Sequence, residues 1–124
     1  MSKLIVMLTC IFMLLFEQTD AQLPTVASGK IERYTDFTSA VIEARNVDVW
    51  LPAGYSASKK YAVLYMHDGQ MLFDAQSTWN KQAWEADAIA NTLIKSGQVK
   101  PFIIVGIWNN PGFRHQEYFP QKAF

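Results

Sequence analysis

Residues 61–74, Y-A-V-L-Y-M-H-D-G-Q-M-L-F-D, constrain the fold of this chain more than any other segment. The first six of these residues are apolar or aromatic and do not alternate with polar residues, a pattern typical of a strand buried on both faces in a parallel sheet. A polar turn containing Gly69 follows directly. Ligands of open α/β sheets bind beyond the carboxyl ends of such strands. The segment therefore predicts a buried parallel strand that ends in a candidate binding turn.

A helix and a second apolar strand follow this turn. Residues 81–96 carry apolar side chains at i, i+3, i+4, i+7 and i+8, which predicts one apolar helix face. Asn80 is the predicted N-cap, and Gly97 is the predicted left-handed stop. The uninterrupted run Phe102–Ile107 then predicts the second strand. Strand, helix and strand form a βαβ unit, so the 67–71 turn and the 108–114 loop should lie on one rim of the sheet.

Two strands precede the βαβ unit. Residues 29–38 alternate in polarity, and residues 41–51 contain a clearer strand with Val47, Val49 and Leu51 on one face and Asp48 and Trp50 on the other. Because few residues join them, we expect the two strands to pair antiparallel. The predicted fold class is α/β, with an antiparallel strand pair followed by the βαβ unit. No strand follows Phe102–Ile107, so we expect this strand to lack a neighbour on one side and to leave an apolar edge.

The composition excludes several classes of protein. Half of the 124 residues are hydrophobic, 14% are aromatic, and 11 basic side chains balance 11 acidic ones. These values exclude a disordered or collagen-like chain and give no basic surface for nucleic acid. At this length the chain holds at most one domain.

Residues 1–21 are predicted to be a secretory signal peptide. Lys3 precedes thirteen uncharged, mostly apolar residues, and Thr19 and Ala21 provide small side chains before a cleavage site. An uncleaved anchor is the alternative, although thirteen residues are short for a membrane span. Cleavage after Ala21 would remove Cys10, the only cysteine, leaving residues 22–124 as a secreted or periplasmic domain with no disulfide, no thiol nucleophile and no stable membrane anchor.

The 67–70 turn (H-D-G-Q) allows three interpretations from its residues. A metal site would need further ligands near His115 and Glu117, and no zinc or calcium spacing is met. A purely structural turn needs only a special backbone angle at Gly69 and an Asp68 side chain that bonds nearby amides. An anion-stabilising turn would instead present the backbone N–H groups of residues 69–71 to a ligand. The residues alone do not separate the last two interpretations.

Five segments in order resemble the putative esterase family of α/β-hydrolases. They are R-N-V-D-V-W-L-P-A-G-Y (45–55), Y-A-V-L-Y-M-H-D-G-Q-M-L-F-D (61–74), W-N-K-Q-A-W-E-A-D (79–87), F-I-I-V-G-I-W-N-N (102–110) and R-H-Q-E-Y-F-P (114–120). This family includes enterochelin esterase-like proteins, feruloyl esterases, S-formylglutathione hydrolase and the mycolyltransferases. The resemblance implies the N-terminal half of an α/β-hydrolase sheet, ester hydrolysis through an acyl-enzyme, no cofactor, and a small-molecule or glycan-linked ester as substrate.

The resemblance also implies roles for individual residues. The backbone N–H of Gln70 corresponds to the first oxyanion donor of the family, and Gly69 beside it would let a substrate approach. By the same resemblance Trp79, Trp84, Asn109 and Arg114 would line or brace a substrate pocket. Each could equally be a packing residue or part of a surface ion pair, for which Glu117 is the obvious partner of Arg114.

The family's nucleophile has no counterpart in this sequence. No G-x-S-x-G motif is present, and neither His67 nor His115 is placed to act as the catalytic base. We therefore expect a truncated serine hydrolase domain. The alternatives are a secreted binding module that uses Trp79 and Trp108 on a carbohydrate or a partner protein, and an inactive remnant.

Overall fold

The computed structural model describes residues 22–119 as one mixed sheet with two helices. The strands are β1 (Lys30–Phe37), β2 (Arg45–Leu51), β3 (Ala62–Met66) and β4 (Phe102–Ile107), and the helices are α1 (Ala86–Lys95) and α2 (Arg114–Tyr118). Two short 3₁₀ turns, Gly69–Met71 and Ala75–Ser77, lie between β3 and α1. The predicted signal peptide and Cys10 lie outside the described residues. None of the described helices is long and apolar enough to cross a membrane.

The sheet confirms both predicted pairings and adds a third. β1 pairs antiparallel with β2, and β3 pairs in parallel with β4. β4 also pairs antiparallel with β2, which gives the strand order β1-β2-β4-β3. The expectation that Phe102–Ile107 lacks a neighbour was therefore wrong, because β2 lies on one side of this strand and β3 on the other.

Among residues 22–119 β3 is consequently an edge strand, and it is not buried on both faces. Val63, Leu64 and Tyr65 are 43%, 45% and 69% exposed, although β3 has the apolar sequence of an internal strand. Because successive side chains point to opposite faces, these values show that both faces of β3 reach the surface. An apolar run identifies a strand but does not reveal how many neighbours that strand has.

The core lies on the sheet face that α1 covers. It is formed by Trp50, Leu72, Phe73, Ala90 and Ile104. Trp50 and Ile104 are partners in the β2–β4 register, and Trp50 also contacts the edge of the Phe102 ring at 6.3 Å between centroids. On β2, Asp48 and Trp50 of one face are almost fully buried, while on the other face Val47 and Val49 are half-buried and Leu51, the last residue of the strand, is buried.

The helix α1 begins five residues later than the sequence predicts. Asn80 accepts a hydrogen bond from the Gln82 N–H but does not cap α1, because Lys81 and Glu85 adopt left-handed backbone angles that interrupt the turn before the helix. Glu85 is the N-cap residue of α1 and makes no side-chain capping bond. Gly97 has a φ of 72°, which confirms the predicted left-handed stop.

Candidate active site

The polar turn that follows β3 is a single 3₁₀ turn held by backbone hydrogen bonds. The Met71 N–H donates to Asp68 O at 2.8 Å, and the Leu72 N–H donates to Gly69 O at 3.4 Å. Within residues 22–119 the structure records no acceptor for the Gln70 N–H. The backbone donor that the family resemblance assigns to the oxyanion is therefore not used by the fold.

The left-handed residue of this turn is Asp68, not Gly69. Asp68 has a φ of 55°, whereas Gly69 is absent from the described residues with positive φ. The interpretation of a purely structural turn placed the special backbone angle at Gly69, and this detail was wrong. Asparagine and aspartate tolerate this conformation better than most residues, which explains why a non-glycine residue can occupy position 68.

Gly69 is required because it packs against β4. A Cβ atom on Gly69 would lie 2.5 Å from both the carbonyl carbon and the oxygen of Gly106, too close for any side chain. A Cβ on Gly106 would in turn lie 3.2 Å from the Gly69 Cα. The two glycines let the turn lie directly on the end of β4, and Gly69 itself is buried. This packing accounts for the glycine without a substrate, so its predicted role in substrate approach stays a prediction.

The rim predicted from the βαβ unit is confirmed by direct contacts. The Asn109 N–H donates to Gln70 Oε1 at 3.1 Å, and Gln70 Nε2 donates to Asn109 O at 3.5 Å. The Gln70 side chain thus both accepts a hydrogen bond from, and donates one to, the backbone of Asn109 in the 108–114 loop. The Gln70 backbone N–H stays separate from this pairing.

The Asp68 carboxylate is the main connection between the turn and the loop. It accepts hydrogen bonds from three side chains: Asn109 Nδ2 at 2.6 Å, Arg114 Nε and Nη2 at 2.9 and 2.6 Å, and Tyr118 Oη at 3.0 Å. The Arg114 guanidinium, followed by the other two donors, lowers the pKa of Asp68 to about 2 even though burial opposes the shift. Asp68 is therefore ionised at neutral pH, although the residue is only 7% exposed.

Arg114 and Glu117 do not pair with each other as the sequence suggested. Arg114 binds Asp68, while Glu117 forms a two-bond ion pair with Arg45 at 2.7 Å for each bond. Both acidic partners have a lowered pKa and both arginines a raised one, because each pair favours the charged forms. The five-residue helix α2 is thus tied at one point to the turn and at another to the start of β2.

A second buried carboxylate fixes Trp108. Asp48 accepts two hydrogen bonds from Arg33 at 2.6 and 2.8 Å and one from the Trp108 indole at 2.9 Å. The Arg33 guanidinium also lies over the Trp108 ring, 4.7 Å from its centroid. One face of this ring is therefore occupied by the protein, and Trp108 is held where β4 leads into the loop.

The two other tryptophans of the predicted site are exposed. Trp79 is 86% exposed and Trp84 is 51% exposed. The Trp84 backbone N–H donates to Met71 O at 2.9 Å, so Trp84 lies beside the turn. No hydrogen bond or ring contact joins Trp79 to the turn within residues 22–119. Two surface cavities, of about 810 and 580 Å³, do not include Gly69 or Gln70 among their lining residues.

Sequence reasoning missed Asp68 and Tyr118 as functional candidates. Tyr118 stands four residues after Arg114, so both side chains lie on one face of α2, and this spacing is the one signal that could have found it. Nothing local indicates that Asp68 is their shared acceptor, because the contacts span 46 and 50 residues. Among residues 22–119 no group of three or more metal-ligating side chains could hold a metal ion.

The comparisons with known proteins point to esterases. Residues 38–119 match the family described as Putative esterase. The chain is 30% identical over 104 residues to an endo-1,4-beta-xylanase/feruloyl esterase from Xylanibacter ruminicola, a match that covers 77% of this chain and 14% of that protein. The chain therefore spans 14% of the length of this curated relative.

Solved structures of two ferulate-directed esterases also match. One is a feruloyl esterase module from Clostridium thermocellum complexed with sinapinate, with 26% identity, a TM-score of 0.47, and coverage of 71% of this chain and 30% of that one. The other is a ferulic acid esterase from Anaeromyces mucronatus in complex with ferulic acid, with 28% identity, a TM-score of 0.49, and coverage of 73% and 34%.

Proposed function

Since the chain belongs to the Putative esterase family, we propose that it forms the oxyanion-binding part of a serine hydrolase for carboxylic esters. In this reaction a serine attacks the ester carbonyl, an acyl-enzyme forms, and water releases the acid. The proposed part of this chain is to donate one hydrogen bond to the carbonyl oxygen as that oxygen becomes negative. No serine of residues 22–119 is proposed as the nucleophile.

The unused N–H of Gln70 is the observation that carries this proposal. A donor that stabilises a transition state must be fixed in place and free of an internal acceptor. The Gln70 N–H belongs to a turn that Gly69 packs against β4 and that two backbone hydrogen bonds close. No acceptor for it is recorded in the described part of the chain. These features support the oxyanion role over a turn that is merely structural.

The proposed substrate class is an ester of a hydroxycinnamic acid. The curated relative is named a feruloyl esterase, and the two solved relatives hold ferulic acid and sinapinate. We place Trp84 and Asn109 near the acyl group, since both lie next to the turn through the Met71 and Gln70 contacts. Arg114 is proposed to act on the pocket only indirectly, because its guanidinium is bound to Asp68. Trp79 is proposed to contact a part of the substrate farther from the turn, because its side chain is 86% exposed.

Export is the proposed route for this protein. The layout of residues 1–21 supports cleavage after Ala21 and a destination in the periplasm or the medium. N-terminal sequencing of exported material should give Gln22 as the first residue of a domain that contains residues 22–124. Exported protein that still carries residues 4–16 would contradict this.

Hydrolysis of methyl ferulate by the complete gene product that contains this chain tests the function. We expect a saturable rate that a serine-reactive phosphonate titrates to zero, and no rate above a mock-purified control from residues 22–124 alone. A complete product that neither hydrolyses esters nor reacts with the phosphonate would refute the proposal. Turnover by residues 22–124 that the phosphonate titrates would show a nucleophile within this chain.

A carbohydrate-binding module is the second candidate, and the exposure of Trp79 favours it. A Trp side chain that is 86% exposed provides a flat apolar surface suited to stacking on a sugar ring. Trp108 does not serve as its companion, because Arg33 covers one face of that ring. Binding of xylan that Trp79→Ala abolishes, by a product without esterase activity, would favour this candidate.

A further inference from the structure

We propose that Asp68 is a positioning residue that fixes the Gln70 N–H by tying Asn109, Arg114 and Tyr118 to the turn carrying that donor. This inference rests on the proposed function for its catalytic consequence. The geometric claim, that the Asp68 carboxylate holds the turn, stands on the contacts alone.

Asp68 controls the turn through both its backbone and its side chain. Its carbonyl oxygen accepts the Met71 N–H, which closes the 3₁₀ turn around Gln70. Its φ of 55° lies in the left-handed region, which aspartate tolerates but which still costs free energy relative to a right-handed angle, so contacts that hold Asp68 in place favour the turn. These contacts are the four hydrogen bonds from Asn109, Arg114 and Tyr118 to the carboxylate.

The same cluster holds the loop that Gln70 touches. Asn109 donates its side-chain amide to Asp68, while its backbone N–H and carbonyl pair with the Gln70 side chain. Asp68 and Gln70, the residues before and after Gly69, therefore both form hydrogen bonds with Asn109. A change in the Asp68 contacts reaches Gln70 through its own backbone and through Asn109.

Arg114 and Tyr118 complete the cluster from α2. The Arg114 guanidinium lies 4.9 Å from the centroid of the Tyr118 ring, and both groups bind the same carboxylate. Two of the three guanidinium nitrogens of Arg114 donate to the Asp68 carboxylate. The arginine near the site is thus part of the support for the oxyanion donor.

Hydrogen–deuterium exchange of the complete gene product tests the geometric claim. We expect Asp68→Asn and Asp68→Ala to accelerate exchange in residues 69–72 and 108–113 together, by about tenfold or more, while the strands keep their protection. Tyr118→Phe removes one of the four hydrogen bonds to Asp68 and should give a smaller effect in the same two segments. This variant still tests the claim if the Asp68 variants fail to fold. Arg114→Lys keeps the charge but not the paired geometry and should fall between Tyr118→Phe and Asp68→Ala.

Glu117→Gln is the matched control. This substitution removes an ion pair of the same two-bond form from the same helix. The partner of Glu117 in that ion pair is Arg45, and the pair does not contact the turn. We expect faster exchange near α2 and unchanged exchange in residues 69–72. Equal effects of Glu117→Gln and Asp68→Asn on residues 69–72, or no effect of Asp68→Ala there, would overturn the inference.

Kinetics of the same variants test the catalytic consequence. If Asp68 holds a donor used only in the transition state, Tyr118→Phe and Asp68→Asn lower kcat for the ester, by about 10- to 100-fold for Asp68→Asn, while KM changes less. A change in KM alone would overturn the positioning role. A wild-type product without esterase activity would refute the proposed function, and the exchange comparison would then decide whether Asp68 holds the turn.

Discussion

At the scale of single residues, the turn after β3 divides its tasks among three neighbours. Asp68 supplies the left-handed backbone angle and the buried carboxylate, and Gly69 supplies the space for contact with β4. Gln70 supplies a backbone N–H that has no acceptor among residues 22–119. The Gln70 side chain is used separately, on the backbone of Asn109. Backbone and side chain of Gln70 can therefore be tested independently.

Substitution of Gln70 separates the donor from the side chain. Gln70→Ala keeps the N–H and loses only the pairing with Asn109, so we expect esterase activity of the complete enzyme within about tenfold of wild type. Gln70→Pro deletes the donor, and loss of one such donor costs on the order of 10²–10³ in kcat, about 3–4 kcal/mol. Steady-state kinetics with methyl ferulate give both values.

The melting temperature of Gln70→Pro has to be measured first, because proline also restricts the backbone of Gly69. A folded Gln70→Pro enzyme with near-normal kcat would refute the oxyanion role. So would a Gln70→Ala enzyme as inactive as Gln70→Pro.

The lowered pKa of Asp68 predicts how stability depends on pH. Its pKa of about 2 in the folded protein lies below the ordinary aspartate pKa of 3.8, so ionisation of Asp68 stabilises the fold above pH 3.8, and that stability is lost as the pH falls through about 2. This lowering of the Asp68 pKa corresponds to about 2 kcal/mol of stability at neutral pH. Urea unfolding of the complete gene product and of Asp68→Asn should differ by about this amount at pH 7, and the difference should shrink steadily between pH 4 and pH 2. A difference that stays constant down to pH 2 would contradict the assignment.

At the scale of elements, the sequence identifies where strands and helices lie more reliably than which elements are adjacent in the fold. Alternation and apolar runs predict β1, β2 and β4, and a 3.6-residue period predicts α1, because these patterns depend on local geometry. The late start of α1 was not predictable, since it depends on left-handed angles at Lys81 and Glu85, residues with no preference for such angles.

Prediction of the site from the sequence has the same limit. The motif locates the turn, but the Asp48 and Asp68 clusters join residues 15 to 60 positions apart and have no local pattern.

The contact between the 3₁₀ turn and β4 gives a prediction at this scale. Gly69→Ala places a methyl group 2.5 Å from backbone atoms of Gly106, so the turn must move away from the strand. We expect a loss of about 1–3 kcal/mol in the free energy of unfolding, as is typical of overpacking. Gly112→Ala is the control, because its Cβ meets only Asn110 Oδ1 at 3.6 Å and should change stability by less than about 0.5 kcal/mol. Chemical denaturation measures both, and equal stabilities of the two variants would show that the turn does not press on β4.

At the scale of the whole molecule, the sheet formed by residues 22–119 has one edge that lacks the usual protection. β3 has no charged residue, and Val63, Leu64 and Tyr65 expose both of its faces beside an unpaired backbone edge. β1, at the other edge, carries charged side chains such as Lys30, Glu32 and Arg33. Natural proteins protect sheet edges with such charges, so β3 is the part of these residues most prone to pair with another chain.

This edge predicts that residues 22–124, produced alone, are poorly soluble or molten. A domain of about a hundred residues has a small margin of stability against conformational entropy, and an apolar edge strand adds a route to association. Leu64→Lys places a charge on the exposed strand and should reduce light scattering and sedimentation of aggregates severalfold. Val41→Lys is the control, because Val41 is 87% exposed but lies outside the strands. If Val41→Lys improves solubility as much as Leu64→Lys, general surface hydrophobicity is the cause and not the β3 edge. A sharp cooperative melt of monomeric residues 22–124, with well-dispersed amide signals, would refute the prediction, because an open apolar edge would then be compatible with a stable and independent fold.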